Sequence, residues 1–170
     1  MLKLAIHGKM KAGKTTGALY LAQVYGAEVI AIADLLKANL IRAGICPERL
    51  KRKDDIHREL MQVYGQCIRA KDPDFWINAA LTDCDEAEAA GCEFVVIDDL
   101  RFWNEAEHLR ADGWKLIKLH RINGPDPGIA GEDPSELDLD GWDDWDLEIS
   151  VEHPHEIFTE LDEYLITIGA

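Results

Sequence analysis

A three-layer α/β/α architecture, with helices on both faces of a parallel five-stranded sheet, is what this sequence predicts. Three observations lead there. Short apolar runs alternate along the chain with segments whose apolar residues recur at helical spacing. The first run feeds a glycine-bearing turn. A chain of 170 residues, 47% hydrophobic, is long enough to bury one core.

Leu2 to His7 is a short apolar run closed by Gly8, the pattern of a buried strand, and Gly13 to Tyr25 reads as the helix after it. Glu28 to Ala33 is β-branched enough for a second strand, and Asp34 is placed to cap a helix running to about Ala43. His57 to Arg69 sets Leu60, Met61, Tyr64, Cys67 and Ile68 on one helical face. Asp72-Pro73 has the form of a helix start, Asp as N-cap and Pro in the first turn, for a helix running until Gly91. Glu93 to Asp98 is a third strand, Asn104 to Asp112 a helix stopped at Gly113, and Trp114 to Leu119 a fourth strand. Ile122 to Asp144 is rich in Gly, Pro and Asp and reads as a loop or lid, spanning about 121–145. Leu147 to Val151 is the fifth strand, before a helix with Pro154 in its first turn and Ile157, Phe158, Leu161 and Leu165 on one face. The whole chain, 1–170, is thus expected to be one domain, and ligands of such sheets gather at the carboxyl ends of the strands.

Composition narrows the function. The net charge of −15 opposes a polyanionic partner, because nucleic-acid affinity comes largely from Lys and Arg neutralising phosphates, so no nucleic-acid partner is expected. After Arg121 there is no Lys or Arg at all, so phosphate chemistry must be run from the first 121 residues. No basic start joins a long apolar run and no stretch nears the roughly 20 apolar residues of a membrane span, which makes a cytoplasmic protein the expectation. Cys46, Cys67, Cys84 and Cys92 show no ligand spacing and are expected to be reduced and mostly buried. Oligomeric state is not legible, and a homodimer stays open.

Gly8-Lys9-Met10-Lys11-Ala12-Gly13-Lys14-Thr15 fits GxxxxGK[ST] at every fixed position, between a predicted strand and a predicted helix. The glycines let the backbone wrap closely, so that successive N–H groups and the helix N-terminus face phosphates. Gly8, Lys11, Ala12, Gly13, Lys14, Thr15 and Thr16 are therefore the expected nucleotide-binding residues. Lys14 would reach the β- and γ-phosphates and Thr15 would bind Mg²⁺, with ATP and Mg²⁺ the implied cofactors. The side chains of Lys9 and Lys11 read as mainly solvated.

Phe94-Val95-Val96-Ile97-Asp98-Asp99 is an apolar strand ending in two carboxylates, where the second metal ligand opposite such a loop belongs. The residues alone do not choose between Asp98 and Asp99. Arg101 follows in the loop leaving the strand. Its planar fork suits phosphate gripping better than a lysine would, while Glu105 and Glu107 offer it a surface salt bridge as the plainer role.

At these residues the chain resembles the phage-type deoxynucleoside monophosphate kinases, within the wider nucleoside monophosphate kinase and dephospho-coenzyme A kinase group. The resemblance rests on the loop Gly8 to Thr15, on Ala33-Asp34-Leu35-Leu36-Lys37, on Met61-Gln62 with Gly65 and Arg69, and on Asp72-Pro73-Asp74-Phe75-Trp76. It rests most on Asp98-Asp99-Leu100-Arg101-Phe102 with Asn104-Glu105, similar to a D-x-R-F-x-N-E signature. It implies the P-loop NTPase fold in its nucleoside monophosphate kinase-like form, with an acceptor-binding helical region at about 34–90. Asp34, Lys37, Arg69 and Arg101 are the implied acceptor-site residues, with Arg42 a further cation, Asp99 a further contact and Trp76 bordering the base. Trp103 flanks the same region. Arg121, at the start of the lid, is placed to stack on the base or touch the triphosphate. The chain departs from the pattern where Glu132-Asp133-Pro134, not a histidine, precedes Ser135-Glu136, and no arginine lies in the lid.

The implied reaction is in-line transfer of the ATP γ-phosphoryl group to a (deoxy)nucleoside monophosphate, with Lys14 and Arg101 stabilising charge and Asp34 orienting the acceptor. An ionised acceptor phosphate needs no general base. A hydroxyl acceptor, as in a dephospho-coenzyme A kinase or a modified-pyrimidine kinase, would make Asp34 the base. A nucleotide-dependent switch without turnover is the reading from another class, although no NKxD segment for a GTPase is present.

Overall fold

The computed structural model describes residues 1–52, 55–124 and 133–169. Its strands are β1 (Leu2–Gly8), β2 (Glu28–Ile30), β3 (Phe94–Leu100), β4 (Lys115–Arg121) and β5 (Leu147–Val151). They pair in the order β2-β3-β1-β4-β5, every pair parallel. Leu4 stands opposite Val96 on one side and Lys115 on the other, which puts β1 at the centre of the sheet.

Strand side chains alternate between faces, so one run of residues builds two cores. Leu4, Ile6, Val96, Ile117 and Ile149 pack on one face against α1 (Lys14–Tyr25) and α8 (Ile157–Ile168), through Leu21, Ile157, Leu161 and Leu165. Ala5, Val95, Ile97 and Leu116 pack on the other against α2 (Asp34–Arg42), α5 (Phe75–Ala89) and α6 (Trp103–Ala111), through Leu36, Trp76, Ile77 and Leu109. Two helices outside this layer, α3 (Pro47–Arg52) and α4 (Asp55–Arg69), complete the wall, α4 against α2 and α5 and α3 against α4. The three layers and five parallel strands are those the sequence predicts.

Differences lie at element ends and in the acidic segment. β2 stops at Ile30 rather than Ala33, because the Ile32 and Ala33 amides turn to the Asp99 carboxylate at 2.7 and 3.0 Å. Asp34 is the first residue of α2, and its Oδ2 accepts the Ala31 N–H at 3.0 Å. α5 begins at Phe75, since Asp72 spends its carboxylate on the Asp74 N–H at 3.1 Å and closes a turn before the helix. α3 was not expected; Pro47 at its first position is its local signal. Cys46 and Cys67 are exposed rather than buried.

The segment read as a lid is, where described, packed structure. Residues 125–132 lie outside the described residues. From there α7 (Pro134–Leu137) and a 3-10 turn (Asp138–Gly141) bring Leu139 and Trp142 into the core. Its acids meet donors from the first 121 residues. Asp138 accepts the Trp103 N–H at 2.6 Å and Asp140 pairs with Lys9 at 2.9 Å. Asp144 pairs with Arg110 at 2.8 Å. Asp146 accepts the Leu116 N–H at 2.8 Å and pairs with Arg110 and Lys115 at 2.5 and 3.2 Å. The uneven charge of the sequence is thus partly a strap: acids without basic neighbours in sequence find cations across the fold. Among the described residues no helix is long and apolar enough to cross a membrane.

Candidate active site

A cleft of about 670 Å³ opens at the carboxyl ends of β1, β2 and β3, where a parallel sheet presents its loops. Its walls come from the loop after β1, the turn after β2, α4, the end of β3 and the start of α7.

The loop between β1 and α1 is shaped by two glycines. A Cβ on Gly8 would sit 2.7 Å from the Leu119 carbonyl oxygen. Gly13 has φ +107, and a Cβ there would meet Ile157 Cδ1 at 2.7 Å. Neither position accepts a side chain, so the chain folds tightly here beside the cleft. Lys14 is buried, and its Nζ donates to the carbonyls of Gly8 and, at 3.2 Å, Lys9. Burial and then the Arg101 charge pull its pKa down to about 8, against the opposing pull of Glu136, Asp99 and Asp98. Met10, Lys11, Gly13, Lys14, Thr15 and Thr16 line the cleft; Gly8 and Ala12 shape the loop from behind.

The two strand-end acids separate. The Thr15 hydroxyl donates to Asp98 Oδ2 at 2.9 Å, which joins two hard oxygens at the foot of the loop. Asp99, expected as an equal candidate for the metal, instead holds the Ile32 and Ala33 amides and so fixes the turn after β2. Among the described residues no ready cluster of three or more ligating side chains occurs. The donor set nevertheless fits a Mg²⁺–triphosphate, an ion that keeps several waters and takes one or two protein oxygens while the loop amides and Lys14 take phosphate oxygens.

Of the residues expected around the acceptor, Lys37, Arg69, Trp76, Asp99 and Arg101 line the cleft, as does Arg121 on the donor side. Trp76 is 1% exposed and donates its Nε1–H to the Gly65 carbonyl at 3.2 Å, forming floor rather than rim. Arg121 reaches the Lys11 and Glu152 carbonyls, both at 3.4 Å. Two expectations are corrected. Arg42 lies outside the cleft on the exposed end of α2, donating to Asn39 at 3.0 Å. Asp34 is exposed, does not line the cleft, and spends its oxygens on the Ala31 amide and on Lys37 at 2.8 Å. Burial opposes the charge of Lys37, but its hydrogen bond to Asp34 carries its pKa above the ordinary value. Trp103 is turned to Glu107 at 3.0 Å, away from the cleft.

Two buried carboxylates passed over in the sequence organise the arginines. Glu105 is 1% exposed, pairs with Arg69 at 2.6 Å, and accepts the Arg101 and Phe102 amides at 3.0 and 3.1 Å. Arg69 also lies 3.9 Å over the Phe102 ring. Glu136 accepts the Met10 N–H at 2.7 Å and pairs with Arg101. That partner replaces the surface pairing with Glu105 or Glu107. Burial works against the Arg101 charge, yet Glu136, with Asp99 and Glu105, holds its pKa above the ordinary value. His7, beneath the loop, places Nδ1 3.0 Å from the Leu100 carbonyl and stacks on Trp145. The D-x-R-F-x-N-E spacing was a signal for Glu105 and the Ser135-Glu136 pair one for Glu136; nothing local marked His7.

No protein-family model matches the chain, and no curated protein sequence matches it. Solved structures do. An unliganded sugar kinase from Janibacter sp. HTCC2649 superposes with a TM-score of 0.58 at 15% identity, over 97% of this chain and 94% of that one. Shikimate kinase from Aquifex aeolicus vf5 superposes with a TM-score of 0.53 at 15% identity, over 99% and 100%. At this identity the likeness is one of fold: a parallel five-stranded sheet with helices on both faces.

Proposed function

We propose that the chain is an ATP- and Mg²⁺-dependent phosphotransferase that acts on the phosphate of a (deoxy)nucleoside monophosphate. The observation that carries the choice of acceptor is the state of Asp34. A hydroxyl acceptor needs a carboxylate or equivalent base within reach, and Asp34, the residue expected to serve, is exposed and held by an amide and a lysine. An acceptor phosphate is already ionised and needs cations instead. Lys14, Lys37, Arg58, Arg69 and Arg101 line the same cleft. Leu36, Met61, Trp76 and Phe102, beside Gln62 and Gln66, give the cleft a partly apolar lining that suits a base.

In this reading the loop amides and Lys14 hold the donor triphosphate, and Thr15 and Asp98 would hold a Mg²⁺ that would supply charge neutralisation for its oxygens. Arg101 faces the charge that spreads over the transferred group, and Arg69, braced by Glu105, holds the acceptor in line. The work is positioning and electrostatics.

The names of the two structural neighbours keep a hydroxyl acceptor as the second reading. The experiment is to incubate the protein with ATP, Mg²⁺ and each nucleoside monophosphate, and to follow ADP and diphosphate formation. Acceptor-dependent ADP with at least one monophosphate is expected, and it should survive Asp34→Asn. No acceptor-dependent ADP from any of them overturns the reading.

A further inference from the structure

One carboxylate touches both halves of the cleft, and it comes from the segment that carries no cation of its own. Asp133 Oδ1 accepts the Ser135 N–H at 2.9 Å and Pro134 opens the turn, which aims the Glu136 side chain inward. Asp138 on the Trp103 amide and Asp140 on Lys9 clamp the residues that follow, and Leu139 is buried beneath them. Glu136 is therefore delivered by an anchored piece of chain, and it is 4% exposed. Its Oε2 accepts the amide of Met10, in the donor loop; its Oε1 pairs with Nη1 of Arg101, on the acceptor side.

An arginine ends a flexible stem and is useful to a transferring phosphoryl group only when its fork is held at a fixed place and angle. The fork's contact with the backbone is weaker, Nη1 to the Ser135 carbonyl at 3.4 Å. We propose that Glu136 is a positioning residue, whose carboxylate locks the Arg101 guanidinium to the phosphate-binding loop and leaves the rest of the fork to the cleft that Arg101 lines. The inference rests on the phosphotransferase reading and extends it: donor loop and acceptor-side cation are set in one frame by an acid that acts through Arg101.

A double-mutant cycle in the phosphotransfer assay tests it. Glu136→Gln keeps the shape and loses the charge that holds the fork, so turnover should fall by about 10²-fold, the cost of misplacing a reacting geometry by an ångström. KM for ATP and the affinity for a non-hydrolysable ATP analogue should move by less than about twofold. In an Arg101→Ala background, Glu136→Gln should cost less than about a further twofold, because the two act as a unit. Full additivity, an unchanged turnover, or a loss confined to KM for ATP would overturn the proposal.

A readout independent of turnover separates this from failure of the function itself. If the wild-type protein transfers phosphate to no monophosphate, the function is wrong, and the frame is still decided by NMR. The Arg101 Nη1 proton resonances should be protected from exchange in the wild type and lose that protection in Glu136→Gln. Retained protection of Arg101 in a folded variant overturns the positioning role.

Discussion

The Thr15 hydroxyl donates to Asp98 Oδ2 at 2.9 Å, while Asp99 beside it holds two backbone amides of the turn after β2. Successive residues of a strand point to opposite sides, so two adjacent acids have separate duties. Asp98→Asn should lower Mg²⁺-dependent turnover by about 10- to 100-fold, the usual effect of removing a group that orients a metal's shell. Asp99→Asn should leave the Mg²⁺ requirement in place and instead raise KM for the acceptor, by loosening the Ile32–Ala33 turn. Mg²⁺ titrations of both variants check this; equal loss of Mg²⁺ affinity in the two would refute the division.

The parts of this fold that were legible are those set by short-range pattern. The apolar runs at Leu2 to His7 and Phe94 to Ile97, and the loop from Gly8 to Thr15, need only neighbouring residues to be read. What stayed hidden depends on partners far away in sequence. Glu136 lies 126 residues from Met10 and 35 from Arg101, and its local setting of Pro, Ser and Asp reads as loop. The same holds for the acidic strap, whose low hydrophobicity masked Leu139 and Trp142 as core residues. Asp34 differs, since its partners, Ala31 and Lys37, are only three residues away on either side. Propensity describes the segment; charge pairing across the sheet decides where it lies.

Glu105 is the brace of the acceptor side, with Arg69 and two amides on one buried carboxylate. Glu105→Ala leaves a guanidinium and two N–H groups without their acceptor. Breaking such a buried pair by removing one partner costs about 3–5 kcal/mol, so the urea midpoint should drop sharply. Replacing Glu107, which bonds only the exposed Trp103 side chain among the contacts seen here, should change it little. Comparable midpoints for the two variants would refute the assignment.

His7 should make the fold sensitive to mild acid. Burial pushes its pKa down to about 4; the Leu100 carbonyl opposes that, and the charges of Lys14, Arg101 and Lys118 add to it. A carbonyl only accepts, so Nδ1 carries the proton of the neutral ring. Below the ordinary value of 6.5 the unfolded chain binds a proton that the fold does not. The contribution is therefore full above pH 6.5 and drains away as pH falls to about 4, a loss of about 3 kcal/mol. His7→Gln removes this titration, and urea unfolding from pH 7 to 4 should show a shallower fall than in the wild type.

Lys14 should set the upper pH limit of nucleotide binding. Its pKa of about 8 in the folded protein means that the ammonium is lost well before an ordinary lysine at 10.5 would lose it. Affinity for a non-hydrolysable ATP analogue should then weaken as pH rises through about 8, and kcat/KM, which reports the free protein, should descend over the same range. Stability has the opposite sign. Between pH 8 and 10.5 the unfolded chain holds the extra proton, so the Lys14 contribution to folding rises with pH while binding falls. Phosphate oxygens favour the charged amine, so binding in that window must draw a proton from solution. Calorimetry in buffers of different ionisation enthalpy should detect uptake near pH 9 and almost none at pH 7, and Lys14→Ala should abolish it. Binding without proton uptake near pH 9 would mean that the Lys14 ammonium does not meet the phosphates.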